Sequence, residues 1–239
     1  MRLRFHCQTA AASLTKPQYQ INVVRTGLQA LAAVLGGTQS LHTNGMDEAF
    51  AIPTEEAMKI ALRTQQIIAD ESGAAQVVDP LGGSYFVENL TTQYEREIFK
   101  VVDYVDQNGG TIKLTEDGWF QRRIADFAYE TALKKANGEK PVIGVNKFVD
   151  PNETFDEIEL HPYDPSTATR QIDRLNRVRR ERDKAKFEQL LNKLVEVAKD
   201  EKQNIMPITI ELVAAGATMG DIIEKLKTIW GTYREKPVF

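Results

Sequence analysis

Along residues 2–52 the apolar positions change period twice. Leu3, Phe5 and Cys7 alternate with Arg2, Arg4, His6 and Gln8, which predicts a strand over 2–9 with one apolar and one polar face. Ile21, Val24, Leu28, Leu31 and Leu35 then fall at helical spacing. They predict a helix capped near Thr15, with Pro17 in its first turn and an end at Gly36-Gly37. A second strand over 38–44 puts Thr38, Ser40, His42 and Asn44 on one face. Strands joined through a helix are normally parallel, and parallel strands are normally apolar on both faces. A polar face in such a sheet must be hydrogen-bonded, wet or in contact with a ligand, so this conflict is the functional signal.

The next units are simpler. Thr54 after Pro53 caps a helix with Ala57, Ile60, Ala61, Thr64, Ile67 and Ile68 on one side and a stop at Gly73. Asp79 to Tyr85 reads as a turn-rich loop, with Tyr85-Phe86-Val87 as a short extended piece. Helices are expected over 91–107, with Tyr94, Ile98, Val101, Val102 and Val105 inside, and over 117–137. Pro141 to Asn146 is a buried-strand candidate. The pattern from 166 to 199 is one long helix, or two broken near Arg182-Asp183; a last helix begins at Thr218, with Asp221 at capping-box spacing.

Composition narrows the function classes. The 239 residues are 42% hydrophobic and carry a net charge of −4, which argues against nucleic-acid or anionic-membrane binding. One cysteine, Cys7, excludes an internal disulfide and fits a reducing, cytoplasmic compartment. No signal-peptide core or spanning run is visible. His6, His42 and His161 lack metal-ligand spacing, and no Cys-x-x-Cys occurs. Asn22 and Arg25 read as a solvated or capping pair. Six arginines between Arg170 and Arg182 read as a solvated helix face interleaved with acids.

Several separate segments also carry a family resemblance. Phe5-His6-Cys7-Gln8-Thr9, the run from Gly36 to Asn44, Asp47-Glu48-Ala49 and Ile52-Pro53-Thr54 resemble the methylmalonyl-CoA mutase large chain. So do the runs Asp79 to Tyr85, Ile143 to Lys147 and Ala217 to Gly220, in the same order. The resemblance implies an α/β chain holding the last two strand-helix units of a (β/α)8 TIM-type barrel over residues 1–90. A mainly helical segment of the same subunit then fills 91–239. It implies adenosylcobalamin chemistry that isomerises methylmalonyl-CoA to succinyl-CoA, with a related acyl-CoA such as isobutyryl-CoA, or a non-catalytic assembly role, as alternatives.

Carried over by position, His6 and Gln8 are the implied catalytic residues. Gln8, Asn44, Glu48, Ala49 and Ile52 are the implied corrin contacts. The implied partners are acyl-CoA, the remainder of the large subunit and a cobalamin-binding small subunit, in an oligomer. The chain alone is expected to be inactive. Ala10-Ala11-Ala12 departs from the family's small residue, glycine and bulky aromatic, which argues against close corrin contact there. Ser40-Leu41-His42-Thr43-Asn44-Gly45 nearly matches the Asp-x-His-x-x-Gly signature of a cobalt-ligating histidine. Ser40 stands in place of the orienting aspartate, and that reading is rejected.

Overall fold

The structure, a computed structural model, describes residues 4–154 and 158–235. The chain falls into two compact units, one running to Pro162 and the other Tyr163–Glu235.

The first unit opens with β1 (His6–Gln8), α1 (Asn22–Leu35), β2 (Ser40–His42) and α2 (Glu55–Asp70). The two strands are parallel, with His6 beside Ser40, Cys7 beside Leu41 and Gln8 beside His42. They are shorter than the alternation predicts, and Arg2 and Leu3 lie outside the described residues. α1 starts seven residues after Thr15 because Gln18 takes a left-handed conformation (φ 48°) and residues 19–21 form a 3-10 turn. α2 starts where expected: the Thr54 hydroxyl accepts from the N–H of Ala57.

The buried side of α1 is not its apolar stripe. Asn22, Thr26 and Ala30, four residues apart, are buried, while Val24 and Leu28 are 59% and 66% exposed. α1 packs on α2, whose buried residues are Ala57, Ala61 and Ile68. A face of small and polar side chains lets the two backbones approach closely, and Gly27 lies against Thr64.

Three helices follow: α3 (Tyr85–Gln107), α4 (Gly110–Glu116) and α5 (Trp119–Ala136). The extended piece expected at Tyr85 is the first turn of α3. Ser84 caps it by accepting from the N–H of Val87, and the Glu88 carboxylate accepts from the N–H of Gly83. Tyr94, Ile98, Val101 and Val102 are exposed rather than inside, because no described element covers that side of α3. The strand expected over 141–146 is a turn: Gly144 has φ +81°, and Asn146 accepts from Val142 N–H and donates to the carbonyls of Lys135 and Lys140.

The second unit is helical: α6 (Ser166–Glu181), α7 (Lys184–Ala198), α8 (Met206–Ala214) and α9 (Met219–Trp230). The break between α6 and α7 is an extended Arg182 followed by Asp183, which caps α7. Phe187, Leu190, Leu191 and Leu194 of α7 pack with Ile208 and Leu212 of α8 and Ile222 and Leu226 of α9. Thr218 and Asp221 form the predicted capping box. Arg182 does not belong to the solvated arginine face; it is largely buried against Asp221 and Phe187.

Candidate functional site

Parallel register sets the polar face. Because His6 pairs with Ser40 and Gln8 with His42, these four side chains emerge on one side of the ribbon. His6 Nδ1 lies 2.7 Å from Ser40 Oγ, and Nε2 has no partner among the described residues. Gln8 is exposed, and neither its side-chain amide nor the His42 imidazole has a hydrogen-bond partner among the described residues. His6, Gln8 and Ser40 are exposed and His42 is half-buried, and no described helix encloses them in a dry core.

Beyond the strands, both following loops leave from the same end, as parallel strands require. Thr9 ties them together. Its N–H donates to His42 O (3.1 Å), its hydroxyl donates to Asn44 Oδ1 (2.5 Å), and it accepts from Asn44 N–H (3.0 Å). The Asn44 amide in turn donates to Glu48 Oε2 (2.5 Å), and Glu48 Oε1 accepts from Gly45 N–H (2.7 Å). Asp47 Oδ2 accepts from both the N–H and the hydroxyl of Thr54 at 2.8 Å. An added Cβ at Gly45 would lie 2.9 Å from Pro53 Cβ, so only glycine leaves Pro53 where it is.

The residues singled out in the sequence therefore separate into two kinds. His6 and Gln8 are exposed on the open face, while Asn44 is buried and Glu48 half-buried, both shaping the loop. Ala49 is half-buried and Ile52 projects from the same loop, 71% exposed. Asn22 and Arg25 are neither a solvated pair nor exposed ligand groups. Asn22 is fully buried, and its amide meets Thr15 twice and Met46 once, with Arg25 at 2.8 Å. That role could be suspected only from a polar residue interrupting the buried face of a helix. Thr9 was not anticipated either, since the strand alternation assigns it to the apolar side.

Among the described residues no three His, Cys, Asp or Glu side chains converge as a metal-binding group would require. No described helix is long and apolar enough to cross a membrane.

Residues 1–232 match the methylmalonyl-CoA mutase family. The whole chain is 73% identical over 239 residues to the 2-hydroxyisobutanoyl-CoA mutase large subunit of Aquincola tertiaricarbonis, covering 42% of that protein. It is 38% identical over 237 residues to the methylmalonyl-CoA mutase of Rhizobium meliloti, with 99% of this chain and 33% of that one aligned. The mitochondrial methylmalonyl-CoA mutase of Homo sapiens is 38% identical over 233 residues, or 97% of this chain and 31% of that one. The chain thus spans 31–42% of the length of these relatives.

Proposed function

The chain belongs to the methylmalonyl-CoA mutase family, and from that premise we propose that it forms part of the large subunit of an adenosylcobalamin-dependent acyl-CoA mutase, an isomerase. Residues 1–90 are the last two strand-helix units of a (β/α)8 barrel, and 91–239 are a helical segment of the same subunit. The observation that carries this reading is the polar face of β1 and β2. In a barrel that admits substrate along its axis, His6, Gln8, Ser40 and His42 line the passage, which accounts for hydrophilic residues in parallel strands.

His6, its Nδ1 engaged by Ser40, directs Nε2 at the thioester of the substrate. Gln8 offers its amide to the substrate or to the corrin edge. The loop from Asn44 to Ile52 fits a corrin margin: Asn44 and Glu48 hold its shape, Ala49 permits close approach, and Ile52 presents an apolar surface. Bound adenosylcobalamin supplies the homolysable cobalt–carbon bond that starts a radical 1,2 shift. The chain's own residues orient the acyl group and exclude water. In this reading Gln8, Asn44, Glu48, Ala49 and Ile52 would hold the margin of the corrin, and a cobalamin-binding small subunit would complete the site.

The acyl group we assign is 2-hydroxyisobutanoyl or a close 2-hydroxyacyl analogue. The 73% identity to a mutase named for that substrate, against 38% for the methylmalonyl-CoA mutases, favours it over the methylmalonyl group that the sequence motifs suggest. Methylmalonyl-CoA is the second reading. Assembling the chain with the rest of the large subunit, the small subunit and adenosylcobalamin tests both. Competing 2-hydroxyisobutanoyl-, isobutyryl- and methylmalonyl-CoA should give the highest kcat/KM for the first. Preference for methylmalonyl-CoA would overturn the substrate assignment, and turnover of none would overturn the enzyme assignment.

A further inference from the structure

We propose that Arg25 is a positioning residue that ties both strand-end loops to a strap formed by residues 141–153. The inference rests on the reading of those loops as the cofactor side of a mutase barrel.

Arg25 bridges three segments. Its Nη1 donates to Thr15 Oγ1 (2.9 Å) in the loop after β1 and to Asn22 Oδ1 (2.8 Å), and its Nη2 donates to the carbonyl of Ile143 (2.7 Å) in the strap. Asn22 extends the link to the second loop. Its amide nitrogen donates to the carbonyls of Thr15 and Met46 at 2.9 Å each, and its oxygen accepts from Thr15 N–H. That fills the donor and acceptor capacity of the amide. The loop after β1, the loop after β2 and the strap therefore meet at one guanidinium and one carboxamide.

The strap has a second fastening. Gln18 Nε2 donates to Phe148 O (2.8 Å), and Gln18 N–H donates to the Glu153 carboxylate (2.5 Å). Gln18 and Phe148 both have positive φ, 48° and 55°, and Gly144 (φ +81°) passes so close to Gln18 and Pro17 that an added Cβ would lie 3.3–3.4 Å from them. Two non-glycine residues in the left-handed region, joined to each other, mark a conformation that its surroundings impose. At the other end of the same loop, Gln29 accepts from Ala10 N–H and donates to Ser13 Oγ. The rim is built rigid, so its residues meet cofactor and substrate without reordering.

Hydrogen exchange and steady-state kinetics on the assembled enzyme with Arg25→Lys test this, because lysine keeps the charge but cannot span the three acceptors. Exchange in residues 9–21 and 43–54 should quicken and kcat fall, each about tenfold, the scale of one lost charged hydrogen bond. KM for the acyl-CoA should stay within about twofold, since the substrate passage itself is intact. Gln18→Ala, which removes the side-chain bond to Phe148 and keeps the backbone bond to Glu153, should give the same split at about threefold. Unchanged loop exchange in both variants overturns the inference, as does faster exchange with kcat untouched. A wild-type assembly that turns over no acyl-CoA overturns the mutase reading instead, and exchange still decides whether Arg25 fixes the loops.

Discussion

The guanidinium of Arg182 lies 2.9 Å from the carboxylate of Asp221, across 39 residues of chain, and joins the α6–α7 break to the first turn of α9. Burial opposes ionisation of Asp221. The N–H and hydroxyl of Thr218 and the charge of Arg182 outweigh it and hold the pKa below the ordinary 3.8. A depressed pKa in the folded state stabilises fully above the unfolded value and is lost as the pH falls through the folded one. Asp221→Asn should therefore cost about 1–3 kcal/mol at neutral pH, read by denaturant unfolding of the second unit's helices. The gap from wild type should narrow only below about pH 4.

Asn22 predicts a different failure. Replacing it by Ala strands the Thr15 backbone groups and the Met46 carbonyl in a buried place, at about 1–3 kcal/mol for each group that finds no water. Asn22→Asp should be as harmful, since a carboxylate cannot donate to two carbonyls. Thermal unfolding followed by circular dichroism should show both variants melting below wild type. A melting temperature unchanged in either would contradict the buried junction described above.

Gln8→Ala should separate stability from chemistry. The side chain is exposed and has no hydrogen-bond partner among the described residues, so unfolding free energy should move by less than about 0.5 kcal/mol. In the assembled mutase, loss of that amide should lower kcat/KM about tenfold or more, measured by product formation from 2-hydroxyisobutanoyl-CoA. Full retained activity would remove Gln8 from the site.

The apolar stripe of α1 gives a test of assembly. Val24→Lys with Leu28→Lys places two charges on positions that the chain leaves exposed, so folding should change by less than about 1 kcal/mol. Self-association of the isolated chain should fall, as read by sedimentation. Co-purification with the remainder of the large subunit should weaken if that stripe is covered on assembly.

Where residues answer to their own neighbours in sequence, their structure was legible. Thr54 and Thr218 cap helices because a hydroxyl three residues before an N–H is a local fact, and both were readable. So was the parallel pairing of two strands joined by a helix. Burial depends on what lies opposite, and there the reading failed. The stripe from Ile21 to Leu35 and the interior assigned to α3 presuppose a covering surface, which the described residues do not provide for Val24, Leu28 or Tyr94. The Pro141–Asn146 stretch looked like a strand because Val142, Ile143 and Val145 are β-branched. Gly144 and the three hydrogen bonds of Asn146 bend it into a turn. Helix α8 escaped notice because its apolar residues surround the helix instead of forming a stripe. At the site, the motifs name His6 and Gln8, which are exposed, together with Asn44 and Glu48, which shape the loop, but the Asn22–Arg25 junction depends on contacts up to 118 residues away.

The ribbon of β1 and β2 has two strands and hence two outer margins, each offering main-chain N–H and C=O groups among the described residues. Main-chain groups are alike in every protein, so any extended segment could dock there by pairing alone. Discrimination between a proper neighbour and a stray one must come from what projects above and below the ribbon: imidazole, amide and hydroxyl on one side, Cys7 and Leu41 on the other. A newcomer in the wrong register would set its apolar side chains against His6 and Gln8, and the mismatch in polarity would reject it.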